Sequence, residues 1–141
     1  MLDKPLIKEL KQKLIANPRI KTFGLTLRGY SMWPFIRDGT KIKLQKIGPG
    51  YWPEIGDVAA IRYPDGILVH RILRIRQRGD GWEYFTKGDR RLVGDGWIPH
   101  NRVVALVDLP VTSRMFGRAI AVYSLILLVA GKILRRDQRK K

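Results

Sequence analysis

The sequence predicts a mainly β, barrel-like domain with a short helix before it and a hydrophobic helix after it. Three observations carry this. Between residues 22 and 108, short stretches alternate apolar and polar side chains with a period of two, as half-buried strands do. Gly- and Pro-bearing turns separate those stretches at short intervals, the punctuation of all-β folds. Toward both ends the apolar residues change to helical spacing or to an unbroken run.

Leu2, Leu6, Leu10 and Leu14 recur every four residues, joined by Ile7. They predict an amphipathic helix over about residues 4–16, with Pro5 in its first turn and Asn17-Pro18 ending it. Phe23, Leu25 and Leu27 then alternate with Thr26 and Arg28, and residues 41–46 put Ile42 and Leu44 on one face. Residues 57–63 and 67–75 are expected to pair as a hairpin around Pro64-Asp65-Gly66. Gly79-Asp80-Gly81 is a second turn, with residues 82–86 as the returning strand; residues 102–108 close the series. Pro110 lies in the boundary before the last helix. The chain thus divides into an N-terminal amphipathic helix (1–20), a β-rich domain (21–110) and a hydrophobic, basic-tailed helix (111–141).

At 141 residues the chain is expected to form one folded domain with small appendages, large enough to bury a core without staples. It has no cysteine, which excludes disulfides and thiolate metal sites. With only His70 and His100, a histidine-rich zinc site is not expected, nor is any cofactor. The net charge is +16, from 28 Lys and Arg against 12 Asp and Glu, which favours anionic partners such as nucleic acid or an acidic membrane surface. Residues 132–141 concentrate that charge, with Asp137 the sole acid. The run 119–131 has no charge but is shorter than the roughly 20 residues of a membrane span. Extending it to 115–134 takes in Arg118 and Lys132, which would have to snorkel. A helix lying in the interface fits better. Lys4, Lys8, Glu9, Lys11 and Lys13 interrupt the N-terminus, so no secretory signal is read there.

The stretch Gly29-Tyr30-Ser31-Met32-Trp33-Pro34 is the strongest candidate for chemistry. A serine hydroxyl needs a base to take its proton and N–H groups to hold a developing oxyanion. Gly29 permits close approach of another chain, and Pro34 stiffens the exit. A lone turn serine more often just bonds its own backbone. His70 stands in a strand otherwise built from Ile67, Leu68, Val69, Ile72 and Leu73, where a polar ring needs a partner. Histidine titrates near neutrality and is suited to general-base work, although a strand histidine is more often structural. Asp89 follows Lys87-Gly88, and Asp95 lies in Gly94-Asp95-Gly96. Carboxylates beside glycines commonly shape turns, but either could orient His70. Arg90 and Arg91 could pair with them. A lysine base from Lys41, Lys43 or Lys87 would have to be desolvated. Lys41 and Lys43 fall on the solvent face of an alternating strand.

Together these pieces resemble the type I signal peptidase family over residues 28–108. The matching motifs, in order, are Gly29-Tyr30-Ser31-Met32-Trp33-Pro34, Asp38-Gly39, Gly56-Asp57-Val58, Val69-His70-Arg71-Ile72, Thr86-Lys87-Gly88-Asp89 with Asp95, and the hydrophobic closing strand. The resemblance implies the β-rich fold shared with SOS-repressor peptidases and a substrate that adds a strand beside the serine. Histidine, where bacterial members usually carry lysine, implies the archaeal and endoplasmic-reticulum branch. Ser31 is then implied as nucleophile and His70 as general base. Asp95 is implied to orient the histidine, with Asp89 as the alternative or as a support of the site. Oxyanion and substrate binding are implied at Ser31, Met32 and Pro34, with the Ser31 backbone N–H contributing. Three features depart from the family. Residues 1–28 show a charged amphipathic helix in place of an anchor, and the hydrophobic segment is C-terminal. A third is Gly29, which offers no hydroxyl where some members have an oxyanion donor.

The expectation is therefore a serine endopeptidase that cleaves leader or signal peptides, with small side chains near the cleaved bond. It is expected to be membrane-associated through its C-terminal helix, with no specific nucleic acid as partner. The basic block after Leu134 favours a cytoplasmic C-terminus; a spanning helix would then put the catalytic domain outside, whereas the favoured helix in the interface, or re-entering the membrane, keeps it on the cytoplasmic side. Trp33, Trp52, Trp82 and Trp97 serve either a membrane-facing rim or internal packing. Two alternatives compete with this reading. A self-cleaving regulator would need a DNA-binding domain ahead of the serine and a lysine base. A non-catalytic basic module binding peptide, lipid or nucleic acid accounts for the charge but not for the serine, histidine and aspartate contexts.

Overall fold

The computed structural model describes residues 22–48, 51–109 and 111–138; the helix expected over residues 4–16 lies outside the described residues. Among the described residues seven strands follow one another: β1 (Thr22–Thr26), β2 (Lys41–Lys46), β3 (Val58–Tyr63), β4 (Gly66–Arg78), β5 (Gly81–Lys87), β6 (Gly96–Pro99) and β7 (Val103–Val107). A 3-10 turn, His100–Arg102, precedes β7, and helix α1 (Val111–Gln138) follows it. The strands form one sheet in the order β1-β2-β7-β3-β4-β5-β6, with every neighbouring pair antiparallel. The fold is thus mainly β, but the sheet is open where a barrel-like closure was expected. β7 inserts between β2 and β3, and the sheet grows outward from there, ending at β1 on one side and β6 on the other.

Most strands lie where the alternation put them. The β3–β4 hairpin closes with Tyr63 opposite Gly66. β4 runs beyond its expected end because β5 pairs with it as far as Arg78 opposite Gly81. β6 was not anticipated. Four residues bounded by Gly96 and Pro99 are too few to display a period, and both ends read as breakers.

Register assigns side chains to the two faces, since cross-strand partners share a face and successive residues alternate. Val58 and Ala60 join one cluster with Leu25, Met32, Leu44, Val69 and Ala105. Ala59 and Ile61 join the other with Ile72, Tyr84, Ile98 and Leu106. With both faces covered, β3 is buried from Val58 through Ile61 and loses the alternating exposure of a one-sided sheet. His70 is opposite Ala59, and Ile72 opposite Thr86, so His70 and Thr86 belong to the second face. Val58 is opposite Arg71, and Arg71 opposite Lys87, so those two belong to the first.

Helix α1 is docked by close backbone approach. A Cβ on Gly56, whose φ is +97°, would lie 2.6 Å from the Gly117 carbonyl carbon. Only glycine suits that turn, both for its backbone angle and for its space. Beyond it, Ala121 and Leu128 pack with Leu73, Phe85 and Leu125. Arg118 adds an ion pair to Glu54 at 3.0 Å. Among the described residues, no helix is long and apolar enough to cross a membrane. Trp52 and Trp82, both exposed, contact each other, Trp52 also meets His100, and Trp97 contacts Phe85 beneath Arg76. Trp33 is about half exposed, with Arg90 over its ring.

Candidate active site

The chain leaving β1 is pinned before it reaches Ser31. Leu27 N–H donates to the Thr40 carbonyl, and Gly39 N–H donates to the Leu27 carbonyl, both at 2.8 Å. Gly29 N–H donates to Asp38 Oδ1 at 2.7 Å, and Gly29 has φ +100°, a conformation that favours glycine. The motif glycine and the Asp38-Gly39 pair are therefore parts of one turn. Phe35 and Ile36 N–H groups both donate to the Met32 carbonyl, winding residues 32–36 into tight turns. The Met32 side chain is fully buried in the first core cluster and anchors the turn. Ser31 is left partly exposed beside it.

His70 is fully buried, and its Nδ1 lies 2.6 Å from Asp95 Oδ2. The same carboxylate oxygen accepts from Thr86 Oγ1 at 2.9 Å, and Asp95 N–H donates to the Thr86 carbonyl at 2.8 Å. An ionised carboxylate can only accept, so Nδ1 carries the hydrogen, and in the neutral ring the lone pair is then on Nε2. That Nε2 is buried without a hydrogen-bond partner among the described residues. Leaving such an atom unpaired costs about 1–3 kcal/mol.

Gly88 shows where the lone pair is directed. A Cβ at position 88 would lie 2.8 Å from His70 Nε2, 3.0 Å from Ser31 Cβ and 2.7 Å from the Ser31 carbonyl oxygen. Serine and imidazole thus border one gap, which stays open because residue 88 has no side chain. Arg90 N–H donates to that Ser31 carbonyl at 2.9 Å, joining the two loops. Gly88→Ala is expected to push Ser31 and His70 apart and to slow acylation of Ser31 about 100-fold, the scale of a 1 Å misplacement. Labelling rate by a serine-reactive probe, alongside a thermal melt, measures this.

The gap opens into a cleft of about 610 Å³. Ser31, His70 and Asp95 line it with Arg28, Gly29 and Tyr30 on one stretch and Gly66, Ile67 and Leu68 on another; Tyr63, Arg91 and Gly94 complete the lining. The pKa of the Tyr63 hydroxyl is raised, first by burial and then by the Asp95 charge.

Of the residues expected at the site, Ser31, His70 and Asp95 converge. Asp89 is elsewhere. It takes a two-pronged contact from Arg71, Nε to Oδ1 at 2.9 Å and Nη2 to Oδ2 at 2.8 Å, while Arg71 Nη1 donates to the Gly56 carbonyl at 2.8 Å. This pair is almost wholly buried. Neither Met32 nor Pro34 lines the cleft: the Met32 side chain is in the core, and Pro34 is exposed. Lys87 is buried, and its Nζ donates to the carbonyls of Gly88, Asp89 and Arg91 at 3.0, 3.3 and 2.7 Å. Burial lowers its pKa, opposed by Asp89 and Asp95. Its donors are committed to holding the 88–91 turn. Lys41 and Lys43 are exposed on β2.

Thr86, Gly88 and Arg71 received no role from the sequence alone, and Lys87 only that of an alternative base. Arg71 carried a usable signal, being a cation inside the largely apolar stretch 67–73 that must find a buried partner; Lys87, in a strand that also holds Glu83 and Thr86, did not. Thr86 and Gly88 carried none. In comparisons with known proteins, no family model matches this chain and no curated protein matches it significantly.

Proposed function

We propose that the chain is a serine endopeptidase that cuts leader or signal peptides from precursors through an acyl-enzyme on Ser31. The observation that carries this reading is the buried His70, saturated by a carboxylate on Nδ1 and unpaired on Nε2 beside a serine. A histidine with a purely structural task has no need of an orphaned nitrogen at a cleft. In the proposed reaction His70 Nε2 takes the Ser31 proton as Oγ attacks the peptide carbonyl. Asp95 holds the imidazole in the required tautomer and stabilises its charged form, and Thr86 holds Asp95. The Ser31 backbone N–H meets the developing oxyanion. The imidazolium returns the proton to the leaving amine, and water then releases the acyl group with His70 again as base. An extended peptide fits between residues 28–30 and 66–68 of the cleft as an added strand. The leader-peptide substrate class is supported by the motif resemblance.

The test is labelling with a fluorophosphonate or other serine-acylating probe, mapped by mass spectrometry, together with cleavage of a mixed peptide library. Wild type is expected to be modified at Ser31 and to cut peptides. Ser31→Ala should do neither. His70→Ala should be slowed about 10²–10⁴-fold in both while melting cooperatively. Full peptide cleavage by either purified variant would sink the proposal.

A further inference from the structure

Helix α1 has two faces that differ in what they meet. Gly117, Ala121, Ser124 and Leu128 are buried and lie on one line down the helix, facing the sheet. Phe116, Val122, Tyr123, Ile126 and Val129 are each more than half exposed. At 3.6 residues per turn these five fall within an arc of about 140° centred opposite the buried line. The strip is about 20 Å long at 1.5 Å per residue. Five large apolar side chains in one exposed strip exceed the scattered surface hydrophobics of ordinary soluble domains. Charge at the margin indicates what covers it. Arg118, which also pairs with Glu54, and Lys132 are exposed beyond one edge of the strip, the first turn contains no acid, and residues 132–141 hold six cations against Asp137. A second copy would bring the same basic margin and another +16 of net charge against it. A nucleic-acid backbone would leave the apolar strip in water. An anionic lipid surface satisfies both parts.

We infer that this exposed strip of α1 docks in the headgroup layer of an anionic membrane, with the helix lying along the surface. Contacts already described tie the helix to the candidate site. Gly117 abuts Gly56, the Gly56 carbonyl accepts from Arg71, Arg71 holds Asp89, and Arg90 N–H holds the Ser31 carbonyl. A docked helix therefore sets the attitude of the cleft over the bilayer.

The test uses the full chain and sedimentation with vesicles of phosphatidylcholine alone or mixed with phosphatidylglycerol. Wild type should bind the mixed vesicles, bind phosphatidylcholine far more weakly, and weaken with added salt. Val122→Ser/Ile126→Ser/Val129→Ser should weaken binding to mixed vesicles at least about tenfold, whereas Trp82→Ser, elsewhere on the surface, should not. Absence of cysteine permits a second reading on a protein with its core untouched. An environment-sensitive dye on Val122→Cys or Ile126→Cys should shift to the blue with mixed vesicles. No vesicle binding by wild type, equal binding by the triple variant, or no dye shift would overturn the inference. So would a solution dimer dispersed by the triple substitution without vesicle binding, which would assign the strip to a second copy.

Discussion

Asp95→Asn is expected to slow acylation of Ser31 by roughly 10³–10⁴-fold while leaving the melting transition nearly unmoved. Asp95 Oδ2 serves both His70 Nδ1 and Thr86 Oγ1. An asparagine can offer its amide nitrogen to the ring as readily as its oxygen, because the threonine hydroxyl rotates to accept as well as donate. An N–H donor facing Nδ1 forces the ring hydrogen onto Nε2, the atom that must be bare to act as base. Even with its oxygen toward the ring, asparagine lacks the charge that stabilises the imidazolium. The measurement is the second-order labelling rate of Ser31 compared with wild type and with Thr86→Val. That second variant removes one contact to Asp95 and should be affected much less. An Asp95→Asn protein that labels at the wild-type rate would remove Asp95 from the proposed chemistry.

Arg71→Met is expected to lower unfolding free energy by about 3–5 kcal/mol, because it strands the Asp89 charge in the interior. Arg71 and Asp89 are both nearly inaccessible, and the arginine also satisfies the Gly56 carbonyl beneath helix α1. Replacing both partners, as Arg71→Met/Asp89→Leu, should restore a large part of the loss, since well-packed apolar pairs often equal or exceed buried ion pairs. Denaturant unfolding of the two single variants and the double variant measures the coupling. Additive losses would mean that the pair is not an energetic unit. Asp95 and Asp89, six residues apart, are thus expected to fail in different ways, one through rate and the other through stability.

Much of the sheet was legible before any coordinates. The alternation over Lys41–Lys46, the turn at Pro64-Asp65-Gly66 and the closing run at Val103–Val107 each stand where their period and punctuation put them. Openness of the sheet was not legible, because strand periodicity sets which face a side chain takes and says nothing of whether the end strands meet. Nor was the two-sided exposure of α1. Apolar residues in 119–131 surround the helix, and only its packing on Gly56 and Leu73 divides them into a buried line and a bare strip.

The candidate site divides in the same manner. Ser31 and His70 stood out because each sits in a local context that limits what it can do: a glycine-led turn before a proline, and a polar ring in an apolar strand. Residue alternation along β4 also determined that His70 and Arg71 must face opposite ways. Which carboxylate each would meet was beyond the sequence. Asp89 and Asp95 both follow β5 in a glycine-rich loop, and side-chain parity is lost once a chain leaves the strand. Only the tertiary structure decided it. Lys87 folds the 88–91 turn toward the Arg71 face, and β6 pairs back along β5 to bring Asp95 under Thr86 and His70. The partners are chosen by how the loop returns to the sheet, a balance of buried charge and hydrogen bonding between residues distant in sequence.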